Sequence, residues 1–141
     1  MKKLLSEAHM AREPVWIEAR DVLVLHDRLL ALHGGATGLR EEALLQSALA
    51  RPQQLYAYAD SPDTVNMAAA YTAAIVRNHA FIDGNKRTGF VVGILFLELN
   101  GYHFTATEEA TAQAVLELAA GALDEAGYAD FLRTNTVRVV V

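Results

Sequence analysis

Eleven consecutive residues, His79-Ala80-Phe81-Ile82-Asp83-Gly84-Asn85-Lys86-Arg87-Thr88-Gly89, carry the densest run of reactive side chains in the chain. A histidine, a carboxylate, an Asn-Lys-Arg run and two glycines lie between two apolar stretches, which is more polarity than a plain connector needs. Asn85 is placed to open a helix. The first backbone N–H groups of a helix have no intrahelical acceptor, and with the helix dipole they form an anion site. Gly84 lets a ligand come close to the backbone. Lys86 and Arg87 stand at the helix end where positive charge costs stability, and a bound anion is a reason for them. So many converging donors match a polyphosphate better than a carboxylate. Asp83 is a hard oxygen ligand, and Mg²⁺ takes one or two carboxylates and completes its shell with water and substrate phosphates. His79 could take a proton from an incoming hydroxyl, with Phe81 anchoring the loop beneath it. On spacing alone, a solvated charge cluster joining two helices competes with this reading, and the spacing favours the phosphate site.

Two central helices must hold that loop. The segment before it starts at a cap, Asp63 or Thr64, and runs to about Asn78, with a centre of small residues, Met67-Ala68-Ala69-Ala70-Tyr71-Thr72-Ala73-Ala74, that lets neighbours approach closely. The segment after it runs from about Asn85 to Leu99, is apolar nearly all round from Phe90 to Leu97, and stops at Asn100-Gly101. Upstream, residues 17–33 read as an amphipathic helix with Val22, Leu25, Leu29 and Leu32 inward. His26 and His33 share a face of it and read as packed or surface histidines. Gly34-Gly35 stops that helix, and residues 34–38 redirect the chain; they lack the Gly-Lys-Ser/Thr ending of a phosphate loop. Leu39 to Arg51 reads as a second helix ended by Pro52. Residues 55–62 follow as a loop or short hairpin, in which Tyr56 and Tyr58 alternate with Ala57 and Ala59; an exposed edge there could pair with an extended peptide. Downstream, Tyr102-His103-Phe104 is an extended link. Thr107 caps a helix to about Ala120 that buries Val115, Leu116, Leu118 and Ala119. A last short helix covers about Asp124 to Arg133. The valine-rich tail fits an added strand, a partner contact or an exposed end.

The 141 residues bound one domain, expected over 16–134, with a flexible lead-in at 1–15 closed by Pro14 and a tail at 135–141. A hydrophobic content of 52% and an abundance of Ala and Leu favour a compact all-α protein. With no cysteine, disulfides and thiolate chemistry are excluded, and the cytoplasm is the default compartment. A formal net charge of −5 argues against direct nucleic-acid binding. The longest apolar run, Phe90 to Leu97, is short of the roughly 20 residues that span a bilayer. The opening Met1-Lys2-Lys3-Leu4-Leu5 is interrupted by Ser6, Glu7 and His9 before a signal peptide could form.

The loop resembles the signature of the Fic superfamily, His-x-Phe-x-(Asp/Glu)-Gly-Asn-Gly-Arg, two residues, then a second Arg. His79, Phe81, Asp83, Gly84, Asn85 and Arg87 match it, while Lys86 takes the place of the second glycine and Phe90 that of the final arginine. Both departures are those of the death-on-curing branch, with its Asn-Lys-Arg-Thr run. The stretch from Gly38 to Pro52 and the helix end Leu97-Glu98-Leu99-Asn100-Gly101 are also similar to that branch, so the likeness covers about residues 16–133. It implies a compact Fic-like helical bundle acting as the toxin of a toxin–antitoxin pair. Most of the superfamily transfers AMP from ATP to a protein hydroxyl. The death-on-curing branch binds the nucleotide reversed and transfers the γ-phosphate, and its associated target is a threonine of the elongation factor that delivers aminoacyl-tRNA. Carried onto this chain, His79 is the general base, Asp83 the Mg²⁺ ligand, Gly84 with Asn85 the anion nest, and Lys86 and Arg87 the phosphate holders, with ATP and Mg²⁺ required. Tyr56, Ala57, Tyr58 and Ala59 correspond in position to a target-docking flap. AMP transfer by the same residues, and a catalytically idle binding module, are the alternatives. The superfamily's inhibitory pattern, Ser/Thr-x-x-x-Glu-Gly/Asn, has its nearest approach at Thr37 to Glu41, but Glu42 follows where Gly or Asn is required, so inhibition would fall to a separately encoded antitoxin.

Overall fold

A computed structural model describes residues 13–139. In chain order these form α1 (Ala19–His33), α2 (Glu42–Tyr58), α3 (Thr64–Asn78), α4 (Asn85–Leu99), β1 (Tyr102–Phe104), α5 (Glu108–Ala120), α6 (Glu125–Thr134) and β2 (Thr136–Arg138). The all-α expectation holds, with one small sheet in which β1 and β2 pair antiparallel, Tyr102 opposite Arg138 and Phe104 opposite Thr136. Of the three uses open to the tail, residues 136–138 take the added strand. Residues 1–12, most of the expected lead-in, lie outside the described residues. Val15 is tied down: the Asn100 side chain accepts from its N–H at 2.7 Å and donates to its carbonyl at 3.0 Å. No helix among the described residues is long and apolar enough to cross a membrane.

Helix α3 is the centre, packed against α2, α4 and α6. Asp63 caps it by accepting from the N–H groups of Val65 and Asn66. Its small residues do what their composition suggests. Ala68, Ala69, Ala70 and Ala73 are fully buried, and α4 answers with Gly89 and Gly93. Thr72 Oγ1 donates to the Gly89 carbonyl at 2.8 Å across the crossing. A Cβ on Gly93 would meet Thr72 Oγ1 well inside contact distance and the Ala68 carbonyl at 3.0 Å. Helix backbone cannot yield as a side chain can, so Gly93→Ala should destabilise the fold by about 1–3 kcal/mol. Urea unfolding would show this as a lower midpoint, and a wild-type midpoint would mean the crossing is looser than described.

Three expectations need correction. Helix α2 neither starts at Leu39 nor ends at Pro52. Leu39 instead forms an isolated antiparallel bridge with Phe81, and the helix runs on through Pro52 to Tyr58. A proline inside a helix costs about 3 kcal/mol. Burial of Pro52 itself and the packing of Leu55 and Tyr56 against the core offset it, the Tyr56 ring meeting Trp16 edge-on at 5.7 Å. The loop or short hairpin expected at 55–62 is therefore helical as far as Tyr58 and presents no strand edge there. Secondly, Leu32 is 77% exposed along with the rest of residues 31–38; His33 is exposed with it, while His26, two turns earlier, is buried. Thirdly, α5 turns Thr111, Ala114, Val115 and Leu118 inward and leaves Leu116 and Ala119 in solvent.

Candidate active site

The loop from His79 to Gly84 joins the C-terminus of α3 to the N-terminus of α4, so the two most buried helices fix both its ends. His79 is the C-cap of α3 and sits in the left-handed region at φ 52°, ψ 50°. It is the one non-glycine residue with positive φ among those described. Gly84, at φ 80°, is the N-cap of α4, where an L side chain would be strained. Beyond it, the N–H groups of Asn85, Lys86 and Arg87 have no intrahelical acceptor, as in the first turn of any helix, and the side chains of Asp83, Lys86 and Arg87 are exposed. The expected site residues 83–87 thus flank the N-terminus of α4, and His79 is joined to them through its contact with Asn85. Tyr56 to Ala59 do not join them. They lie at the last turn and C-cap of α2, next to the start of α3, whose 15 residues span about 22 Å to His79.

Asn85 differs from its expected part in the anion nest. Its side chain is only 4% exposed and faces inward. Oδ1 accepts from the Phe81 N–H at 3.0 Å, and Nδ2 donates to the Phe81 carbonyl at 2.9 Å and approaches His79 Nδ1 at 3.2 Å. What it can offer an anion is its backbone N–H. The two Phe81 bonds fix the direction of the amide, so a donor faces His79 Nδ1. In the neutral ring that nitrogen is the acceptor and Nε2 carries the proton.

Asp83 has both carboxylate oxygens in hydrogen bonds, Oδ1 from the Gly84 N–H at 2.8 Å and Oδ2 from the Ala36 N–H at 3.1 Å. Those two N–H groups, chiefly that of Ala36, hold its pKa below the ordinary 3.8, and the Arg87 guanidinium adds to the effect. The stabilisation of the charged form is complete above the ordinary carboxylate range and is lost as the pH falls through the lower folded value. Asp83→Asn should therefore be less stable than wild type at neutral pH, with the gap closing in acid. Denaturation midpoints across that range test this, and a gap constant with pH would contradict it.

Two residues that bond to the loop are not marked out for it by the sequence. His26 of α1 is 2% exposed, stacks on Phe81 with centroids 3.8 Å apart, and donates from Nε2 to the Asp83 carbonyl at 2.8 Å. The other is Arg40, in the segment between α1 and α2. The signal for His26 is its lone place among apolar neighbours on α1, which spacing cannot separate from an ordinary packed histidine. Beside the site, Lys86, Arg87, Phe90, Phe104 and Glu108 border an apolar groove of about 580 Å³ between α4 and α5.

Comparison with known proteins gives this arrangement a family. The profile of the Fic/DOC family matches residues 16–97, which contain α1 to α3, the loop and most of α4. The chain belongs to the Fic/DOC family. A protein named protein kinase doc, from Escherichia phage P1, is 31% identical over 117 residues, 83% of this chain and 92% of that protein. Another, named toxin Doc, from Mycolicibacterium smegmatis, is 40% identical over 74 residues, 52% of this chain and 57% of that protein. The residues at the N-terminus of α4 fit a magnesium–phosphate site. Asp83 stays ionised and exposed, and no group of three or more His, Cys, Asp or Glu that could hold a metal occurs among the described residues. One carboxylate beside free N–H groups suits Mg²⁺ shared with substrate phosphates and does not suit zinc.

Proposed function

We propose that this chain is the toxin of a toxin–antitoxin pair and transfers the γ-phosphate of ATP to a Ser or Thr hydroxyl of a protein, the elongation factor that delivers aminoacyl-tRNA, and so arrests translation. The observation that carries this reading is Lys86 and Arg87 in the first turn of α4, exposed beside N–H groups that have no helical acceptor, with an ionised Asp83 at the same end. Phosphoryl transfer asks a protein mainly for positioning and charge neutralisation, and these groups supply both. Mg²⁺, held by Asp83 when bound, would neutralise phosphate charge. The N–H groups of the α4 N-terminus, Lys86 and Arg87 hold the phosphate oxygens. The groove that starts at Lys86 and Arg87 gives the remainder of the nucleotide an apolar wall in Phe90 and Phe104. His79 receives the hydroxyl proton at Nε2, the nitrogen not facing Asn85. That requires the other neutral tautomer and gives up one weak hydrogen bond, worth about 1 kcal/mol. Lys86 and Phe90, where the broader signature has Gly and Arg, favour the reversed nucleotide: a side chain occupies the place left for inner phosphates, and one phosphate clamp is gone.

The relatives named protein kinase doc and toxin Doc support the same reading. Inhibition falls to a separate antitoxin whose segment orders on binding. Mass spectrometry of the elongation factor after incubation with the chain, ATP and Mg²⁺ tests the target. One added phosphoryl group on a Ser or Thr is expected. An added AMP would replace the reaction with adenylyl transfer, and an unmodified factor in an otherwise active preparation would remove it as the target.

A further inference from the structure

The segment between α1 and α2 is tied to the catalytic loop residue by residue. The Ala36 N–H reaches Asp83 Oδ2 at 3.1 Å, and the Ile82 N–H donates to the Gly38 carbonyl at 3.1 Å. The Arg40 and Glu41 N–H groups both donate to the Ala80 carbonyl, at 2.7 and 3.2 Å. The Arg40 side chain completes the set: Nε donates to the His79 carbonyl at 2.8 Å and Nη2 to the Asn78 carbonyl at 3.1 Å. These two carbonyls end α3, where a cation is favoured by the dipole. They also flank the one left-handed non-glycine residue among those described, a conformation that persists only when its surroundings over-determine it.

We propose that Arg40 is a positioning residue for His79: its guanidinium, bridging two successive carbonyls, holds residue 79 left-handed and so keeps the imidazole against Asn85 and turned to the site. This deepens the phosphoryl-transfer reading and rests on His79 being its base. The requirement is for a fork. The ammonium introduced by Arg40→Lys would be a single point donor, able to satisfy one carbonyl and not hold the angle between two. Because the guanidinium is exposed and lies at a helix end, its loss should affect the loop far more than the core.

The test uses the full chain and two variants, Arg40→Lys and Arg40→Ala. In steady-state γ-phosphate transfer, kcat should fall about ten- to a hundredfold in both, as expected when a catalytic group is displaced from a distance. KM for ATP should change by less than about threefold, since ground-state binding is not the interaction removed. Millimolar guanidinium should restore part of the Arg40→Ala rate and none of the His79→Ala rate. Wild-type kcat in Arg40→Lys would overturn the proposal, and that variant decides alone if Arg40→Ala fails to fold. A second arm needs no activity. In ¹⁵N spectra, the His79 amide and Asn85 side-chain amide signals should move in Arg40→Lys while that of Val115 in α5 stays. Unmoved His79 and Asn85 signals would overturn the proposal. A wild-type chain that transfers no phosphate would instead sink the phosphoryl-transfer reading, with the spectra still deciding the role of Arg40.

Discussion

His79→Ala should lower the transfer rate about 10²- to 10⁴-fold, the usual worth of a positioned general base, and should abolish growth arrest on expression. The fold should survive. Among the described residues, the one side-chain hydrogen bond of His79 is the long contact to Asn85. Alanine tolerates the left-handed region somewhat less well than histidine, a several-fold difference in preference that costs under about 1 kcal/mol. Transfer kinetics with a matched thermal midpoint separate loss of a base from loss of the protein. A His79→Ala variant with full rate would eliminate His79 as the base whatever its position.

Asn85→Ala should be nearly as damaging to the rate, and more damaging to the fold. It removes the partner of both the N–H and the carbonyl of Phe81, a residue only 1% exposed. Each buried backbone group left unpaired costs about 1–3 kcal/mol. The loop it closes carries His79 and Asp83, so the transfer rate should fall about 10²-fold or more through misplacement. Asn85→Asp separates the acceptor side of the amide from its donor side. It keeps an acceptor for the Phe81 N–H but sets a second oxygen against the Phe81 carbonyl, which loses its donor. It should remain defective, and recovery of the rate in Asn85→Asp would show that the donor side of the amide is not needed.

Much of this site is legible in the sequence because it is local. Asp63 as a cap, Asn78 as the end of α3, Gly84 before Asn85, and Asn100-Gly101 as a stop are short-range signals, and α3 and α4 fall where they indicate. The small residues of α3 give away the close crossing for the same reason. What was not legible depends on partners far along the chain. His26 is fixed by Phe81 and Asp83, 57 residues from the latter, and Arg40 by His79, 39 residues away, so neither declares its role through spacing. Asn85 reads as a nest residue from its place at a helix start, and only the inward turn of its side chain shows it to be the tie between Phe81 and His79. Pro52 misleads in the other direction. Local propensity ends α2 there, and burial carries it on to Tyr58, which leaves no strand edge at Tyr56 to Tyr58.

A γ-phosphoryl transfer site at the α4 N-terminus, with Asp83, Lys86 and Arg87, predicts which phosphate of ATP reaches the acceptor. The most direct measurement supplies a cell lysate with the chain, Mg²⁺ and ATP labelled separately at the α- and γ-phosphates. Label from the γ-position alone should appear on a protein acceptor the size of the elongation factor, and should vanish with His79→Ala. Label retained from the α-position alone would contradict the account, and would place the chain with the AMP-transferring members of its family.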